Sequence, residues 1–146
     1  MTLFDKLWAV NNGQSQSAVA KQSRQIASLI FLAQGTAFIQ AGQEFLRSKD
    51  GDHNSYRSSD AVNSLKWAER AKQKVTVDYY KGMIALRKAH PAFRMNTPSA
   101  ISANLKFLTA PEDVLAFSLN GKAVKDKWST IVVISNPYGS AKKVNL

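Results

Sequence analysis

Residues 15–34 carry Val19, Ser23, Ile26, Leu29, Ile30 and Ala33 at mostly three- and four-residue steps, which predicts a helix with one buried stripe. Gly35 follows and suits a left-handed C-cap. The short apolar run Thr36 to Ala41, flanked by glycines and lacking polar alternation, predicts a parallel strand buried on both faces. Gly42 to Asn63 is polar, and a connection of that length is more often functional than filler. Leaving the end of a strand, it sits where α/β enzymes place their sites. Residues 74–90 predict a second helix striped by Val75, Tyr79, Tyr80, Met83, Ile84 and Leu86, stopped at His90-Pro91 because a residue before proline is pushed out of the helical region.

The pattern changes at Asn96-Thr97-Pro98. Leu105–Leu108, Val114–Leu119 and Ser129–Ile134 are short β-type runs separated by Pro, Asn-Gly and Asn-Pro turns. Strand–turn spacing without helices predicts an antiparallel domain. The expected organisation is α/β then β: residues 1–97 as one part and 98–146 as a β part whose last run stops mid-pattern.

Composition narrows the classes. With 146 residues and no cysteine, the chain can hold one ordinary core and can form neither a disulfide nor a thiolate metal site. Its two histidines, His53 and His90, do not stand at ligand spacing, so neither metal nor cofactor is expected. The first fourteen residues lack a basic-then-apolar leader, and no apolar run is long enough to span a bilayer. This favours the cytoplasm without establishing a compartment, and predicts no membrane partner. The net charge of +10 admits two readings: a nucleic-acid surface, or a basic part of a larger, more balanced surface. Basic residues are spread around helical faces with no aromatic interleaving, so nucleic acid is not expected as a partner.

Several segments together resemble type I pullulanases of the α-amylase superfamily (glycoside hydrolase family 13). Phe38-Ile39-Gln40-Ala41-Gly42-Gln43-Glu44-Phe45-Leu46-Arg47 is similar to that family's eighth barrel strand and the start of its loop. Asp52 to Asp60 resembles the loop with Asn-Ser-Tyr, and Asp78 to Arg94 resembles the eighth helix. Thr2-Leu3-Phe4-Asp5-Lys6-Leu7 resembles the stretch after the family's His-Asp-Asn motif. Ala37 and Gln40 depart from the usual Pro and His.

The resemblance implies the C-terminal end of a (β/α)8 TIM barrel followed by part of an antiparallel β-sandwich. It also implies retaining hydrolysis of α-1,6-glucosidic branch linkages in pullulan, glycogen and limit dextrins. Such chemistry needs two carboxylates about 5 Å apart. In the family they lie after earlier strands, so they are expected upstream of Met1 and this chain is expected to be inactive alone. The implied partners are a branched α-glucan and the N-terminal part of the same enzyme. The alternative is a non-catalytic carbohydrate-binding or structural module.

Among single residues, Glu44 reads either as a catalytic acid at a strand end or, as the resemblance implies, as a brace for that end. Asp52, Asn54 and Tyr56 alternate along the loop and offer planar hydrogen-bond partners and an aromatic face for sugar, so they are the expected substrate-binding residues. The competing reading is a loop whose Asx side chains cap its own backbone. Trp8, Trp67 and Trp128 could each stack on sugar, although packing is the expected role of the first two.

Overall fold

The computed structural model describes residues 1–12 and 15–146 and divides the chain into two compact units. The first comprises Met1–Ile30 and Phe38–Met83, the second Phe31–Ala37 and Ile84–Leu146.

In the first unit, α1 (Leu3–Val10) opens on a capping box in which the Thr2 side chain accepts from the Asp5 N–H and the Asp5 side chain accepts from the Thr2 N–H. Most of α2 (Gln16–Leu32) lies here. Its buried residues Val19, Ser23 and Ala27 recur every four positions, with Ile26, Leu29 and Ile30 half-buried beside them. In the first half of α5 (Lys74–Ala89) Val77 and Tyr80 are buried, as are Phe45 and Leu46. Polar contacts fix the register of the two helices: Arg24 Nη1 donates to Thr76 Oγ1 at 3.2 Å, and the Ser28 and Tyr79 hydroxyls are bonded. The short helix α3 (Asp60–Asn63) ends the polar segment, and a second short helix, α4 (Glu69–Lys72), follows it.

The predicted stripe of α5 is only partly buried. Val75 is 72% exposed and Tyr79 and Ile84 are also open, because the described chain offers nothing to cover that face.

Thr36 to Ala41 is a correction to the sequence reading. Residues 36–40 form no strand. A strand exists through its ladder, and among the described residues every strand belongs to one sheet that excludes this segment. Phe38 is 84% exposed. Gly35 has the expected left-handed backbone, φ 83°.

In the second unit, β1 (Leu105–Phe107), β2 (Leu115–Asn120) and β3 (Thr130–Ser135) form an antiparallel sheet in the order β1-β2-β3. Leu119 pairs with Leu105 and Ile131, and Phe117 with Phe107 and Val133, so one face collects the apolar residues. That face packs on Ala92, Phe93 and Met95 of the turn Pro91–Arg94 and its exit, and on Ala100 and Ile101 of α6 (Pro98–Asn104).

The antiparallel strands are as expected, at nearly the expected positions. The cover is not: helical residues, rather than a second sheet, lie on the inner face. α6 was readable, since Thr97 caps it by accepting from Ala100 N and Pro98 stands at its first turn. At Gly121 the chain passes so close to the Trp128 carbonyl that any Cβ would collide with it.

Candidate functional site

The polar segment predicted to carry function is held by a hub the sequence reading passed over. Asp5, 7% exposed, does more than cap α1. Its Oδ2 accepts from Thr2 N at 3.1 Å, Thr2 Oγ1 at 2.9 Å and Lys49 N at 3.0 Å, and its Oδ1 from the Ser48 hydroxyl. Ser48 Oγ accepts in turn from Asp50 N at 2.9 Å. Burial pushes the Asp5 carboxyl up, but the Ser48, Lys49 and Thr2 donors outweigh it and hold the group below its ordinary value. The Thr-x-x-Asp spacing of Thr2 and Asp5 was the available signal.

The rest of the loop is tied in steps. Gly42 is left-handed (φ 89°) and packs under Arg47, whose side chain a Cβ there would strike at 2.9 Å. Glu44 Oε2 accepts from Gly42 N at 3.1 Å, a local bond at the start of the loop. Arg47 donates to the Asn63 and Ala41 carbonyls. Lys49 Nζ reaches Ser55 Oγ at 2.7 Å, and Asn63 Nδ2 donates to the Ser55 and Ser58 carbonyls at 2.6 and 2.8 Å.

The three expected substrate residues have different surroundings. Asp52 is an Asx cap: Oδ1 accepts from Asn54 N at 2.8 Å and Oδ2 from the Ser58 hydroxyl, with these two bonds holding its carboxyl below its ordinary value. Asn54 is exposed and Tyr56 is 76% exposed, both on the outer side of the loop that Asp52 shapes.

The tryptophans pack on one face and remain open on the other. Trp8 stacks on Phe4 (centroids 5.8 Å, 29°), Trp67 leans on Phe45 (5.7 Å), and Trp128 stacks on His90 (3.7 Å, 29°). Among the described residues no cluster of three His, Asp or Glu could hold a metal ion, and no helix is long and apolar enough to cross a membrane.

If the Asp5 hub holds the loop, Asp5→Ala strips a shared acceptor from buried donors. The expected cost is about 1–3 kcal/mol, with faster amide exchange at Lys49 and Asp50. Unchanged protection of those two amides would show that other contacts hold the loop.

Comparison with known proteins gives this architecture relatives. Residues 101–146 match the family described as pullulanase, all-beta domain. A pullulanase from Bacillus subtilis (strain 168) is 41% identical over 133 residues, which is 91% of this chain and 18% of that protein. An isoamylase from Flavobacterium sp is 30% identical over 90% of this chain and 19% of its own length. The solved pullulanase from Bacillus acidopullulyticus superposes with a TM-score of 0.94 at 40% identity, covering all of this chain and 18% of that one. A pullulanase from Paenibacillus barengoltzii, solved in complex with maltohexaose and alpha-cyclodextrin, matches 92% of this chain and 21% of its own with a TM-score of 0.86 at 39% identity. The chain thus spans about a fifth of the length of these relatives. It is similar throughout to one stretch of the pullulanase-type glycoside hydrolases, and its residues 101–146 are homologous to their all-beta domain.

Proposed function

We propose that this chain is the C-terminal piece of a type I pullulanase acting on α-1,6-glucosidic branch linkages with retention of configuration. Residues 1–97 are the end of its (β/α)8 barrel and residues 98–146 part of its β-domain. In this reading residues 36–41 become a barrel strand when neighbouring strands supply a ladder, which accounts for an apolar segment left unpaired in the isolated chain.

The chain supplies one wall of the substrate cleft, with Asn54 and Tyr56 turned toward branched glucan and Asp52 shaping the loop that presents them. The observation that carries this is the loop itself: a hydrogen-bonded scaffold running from Asp5 through Ser48, Lys49 and Ser55 leaves an amide and a phenol ring outward. A rigid scaffold that exposes an aromatic and a polar partner is what recognition of a sugar ring requires.

The carboxylates of the site are not arranged for chemistry. Asp5 and Asp52 spend both oxygens on the chain's own N–H and O–H groups, and Glu44 gives Oε2 to the Gly42 N–H. This supports the reading that the nucleophile and acid of a retaining mechanism belong to the part of the enzyme outside this chain, and the chain alone is expected to release no reducing ends from pullulan.

The test is reconstitution. The chain is co-expressed with a Bacillus acidopullulyticus pullulanase lacking the matching stretch, and pullulan hydrolysis is followed. Activity from the pair and from neither part alone is expected. Hydrolysis by the 146-residue chain alone, abolished by Glu44→Gln, would overturn the assignment.

A further inference from the structure

We infer that Trp8 is the floor of a second α-glucan contact, in a groove between α1 and the loop around Asp50; the identity of the ligand rests on the function proposed above. The groove has a volume of about 530 Å³ and is walled by Phe4, Trp8, Ser48, Asp50 and Gly51, with Gln16 at its edge. That volume lies within the range of small-molecule sites, about 300–1,000 Å³.

Three features of the groove fit a neutral, hydroxyl-rich ring. The first is the platform. Trp8 sits in the last turn of α1, one helical turn beyond Phe4, and the two rings stack within 29° of parallel. Phe4 supports the indole from one side, yet Trp8 remains 44% exposed. An aromatic propped on one face and open on the other offers its disc to the C–H surface of a sugar.

The second is the rim. Asp50 is exposed, and its backbone is left-handed (φ 53°) beside left-handed Gly51 (φ 75°). Its carboxylate can accept from vicinal hydroxyls, and the Gln16 amide can both donate and accept. No Lys or Arg side chain lines the groove; its lining carries the carboxylates of Asp5 and Asp50 and one cation, the Met1 amino terminus.

The third is rigidity. Both walls are joined by the same hub, because Asp5 on α1 binds the Ser48 hydroxyl and the Lys49 N–H, and Ser48 Oγ receives Asp50 N. Platform and rim are therefore fixed relative to each other before ligand arrives, which lowers the ordering cost of binding.

Trp67 provides the internal control. It is 62% exposed, but it leans on Phe45 at 50° and does not line this groove.

The experiment uses the full 146-residue chain with maltohexaose as probe, read by NMR at the indole N–H groups and by tryptophan fluorescence. Maltohexaose should shift the Trp8 indole resonance and leave that of Trp67 in place. Trp8→Ala should weaken the affinity at least tenfold, Trp8→Phe by less, and Trp67→Ala by under twofold. The wild-type indole shift needs no variant, so a poorly folded Trp8→Ala protein does not blunt the test. Saturable binding that leaves Trp8 unshifted, or that Trp8→Ala preserves, overturns the inference while the debranching assignment stands on its reconstitution assay. Binding at Trp8 without debranching in the reconstituted pair upholds the inference as a glucan contact and removes the enzymatic reading. No maltohexaose binding at all, with debranching intact, also overturns the inference.

Discussion

Asp126→Ala should lower the stability of the second unit by about 3–5 kcal/mol, the usual cost of removing one partner from a sealed, charge-assisted network. The Asp126 and His90 side chains are 0% and 2% exposed. Asp126 Oδ1 lies 2.8 Å from His90 Nδ1 and accepts from Trp128 N at 2.9 Å, and Oδ2 accepts from Ala92 N at 3.1 Å. An ionised carboxylate only accepts, so Nδ1 carries the hydrogen. The imidazole is further held by stacking on Trp128 and by the Phe93 edge at 6.4 Å. One carboxylate thus joins the end of α5, the Pro91–Arg94 turn and the turn before β3. Its removal leaves three donors without an acceptor.

The same site sets a pH dependence. Burial pushes the Asp126 carboxyl up, but the Trp128 N–H, His90 and the Ala92 N–H together hold it below its ordinary value. A carboxyl with a depressed folded-state pKa contributes stability above its unfolded value, about 3.9 for aspartate, and loses that contribution as pH falls through the folded value. Thermal melts of the wild type should therefore lose stability as pH falls below about 4, and Asp126→Asn should flatten that part of the curve. An Asp126→Ala protein within 1 kcal/mol of wild type by urea unfolding, a difference the loss of an acceptor for three donors excludes, would show that the network is not cooperative.

Arg87→Met should cost about 2–4 kcal/mol by a different route. Arg87 is 8% exposed. Nη1 donates to the Phe31 and Ala33 carbonyls, both at 2.7 Å, and Nη2 donates to the Gly35 carbonyl. These carbonyls close the C-terminal end of α2, where helix geometry leaves acceptors without partners and the dipole favours a cation. Burial lowers the guanidinium pKa, and neighbouring Arg94 adds to that. Arg87→Lys should recover only part of the loss, because an ammonium cannot spread its donors as a planar fork does. Full recovery in Arg87→Lys would show that charge, rather than fork geometry, holds the helix end.

Arg87 and Arg94 also bear on the surplus of positive charge. Arg94 Nε and Nη2 donate to the Arg87 and Lys88 carbonyls at 3.0 and 3.1 Å, near the end of α5. Lys72, Lys74 and Lys81 pair with Glu69 or Asp78 along helix faces. Part of the basic composition is therefore committed to helix ends and local pairs.

The amino-acid pattern alone located α2, α5 and the three strands, because each relies on a local period that survives without knowledge of neighbours. Val19, Ser23 and Ala27 repeat at helical spacing, and Phe117 with Leu119 and Ile131 with Val133 alternate at strand spacing. Helices α1 and α6 were not predicted, although each carries a local cap, Thr2 with Asp5 and Thr97 with Pro98, because runs this short have weak periodicity.

Three features were decided only by tertiary structure. Residues 36–40 have the composition of a buried strand, but a strand is a property of a pair, and no described segment pairs with them. Asp52 reads from its spacing as a sugar contact or as a cap of its own loop, and the bonds from Asn54 N and the Ser58 hydroxyl to its carboxylate arise only in the folded loop. Asp5 with Ser48 and Lys49, and His90 with Asp126, lie 43, 44 and 36 positions apart. Hydrogen bonds across such separations have no period in the sequence; they exist only once packing has brought the partners within 3 Å.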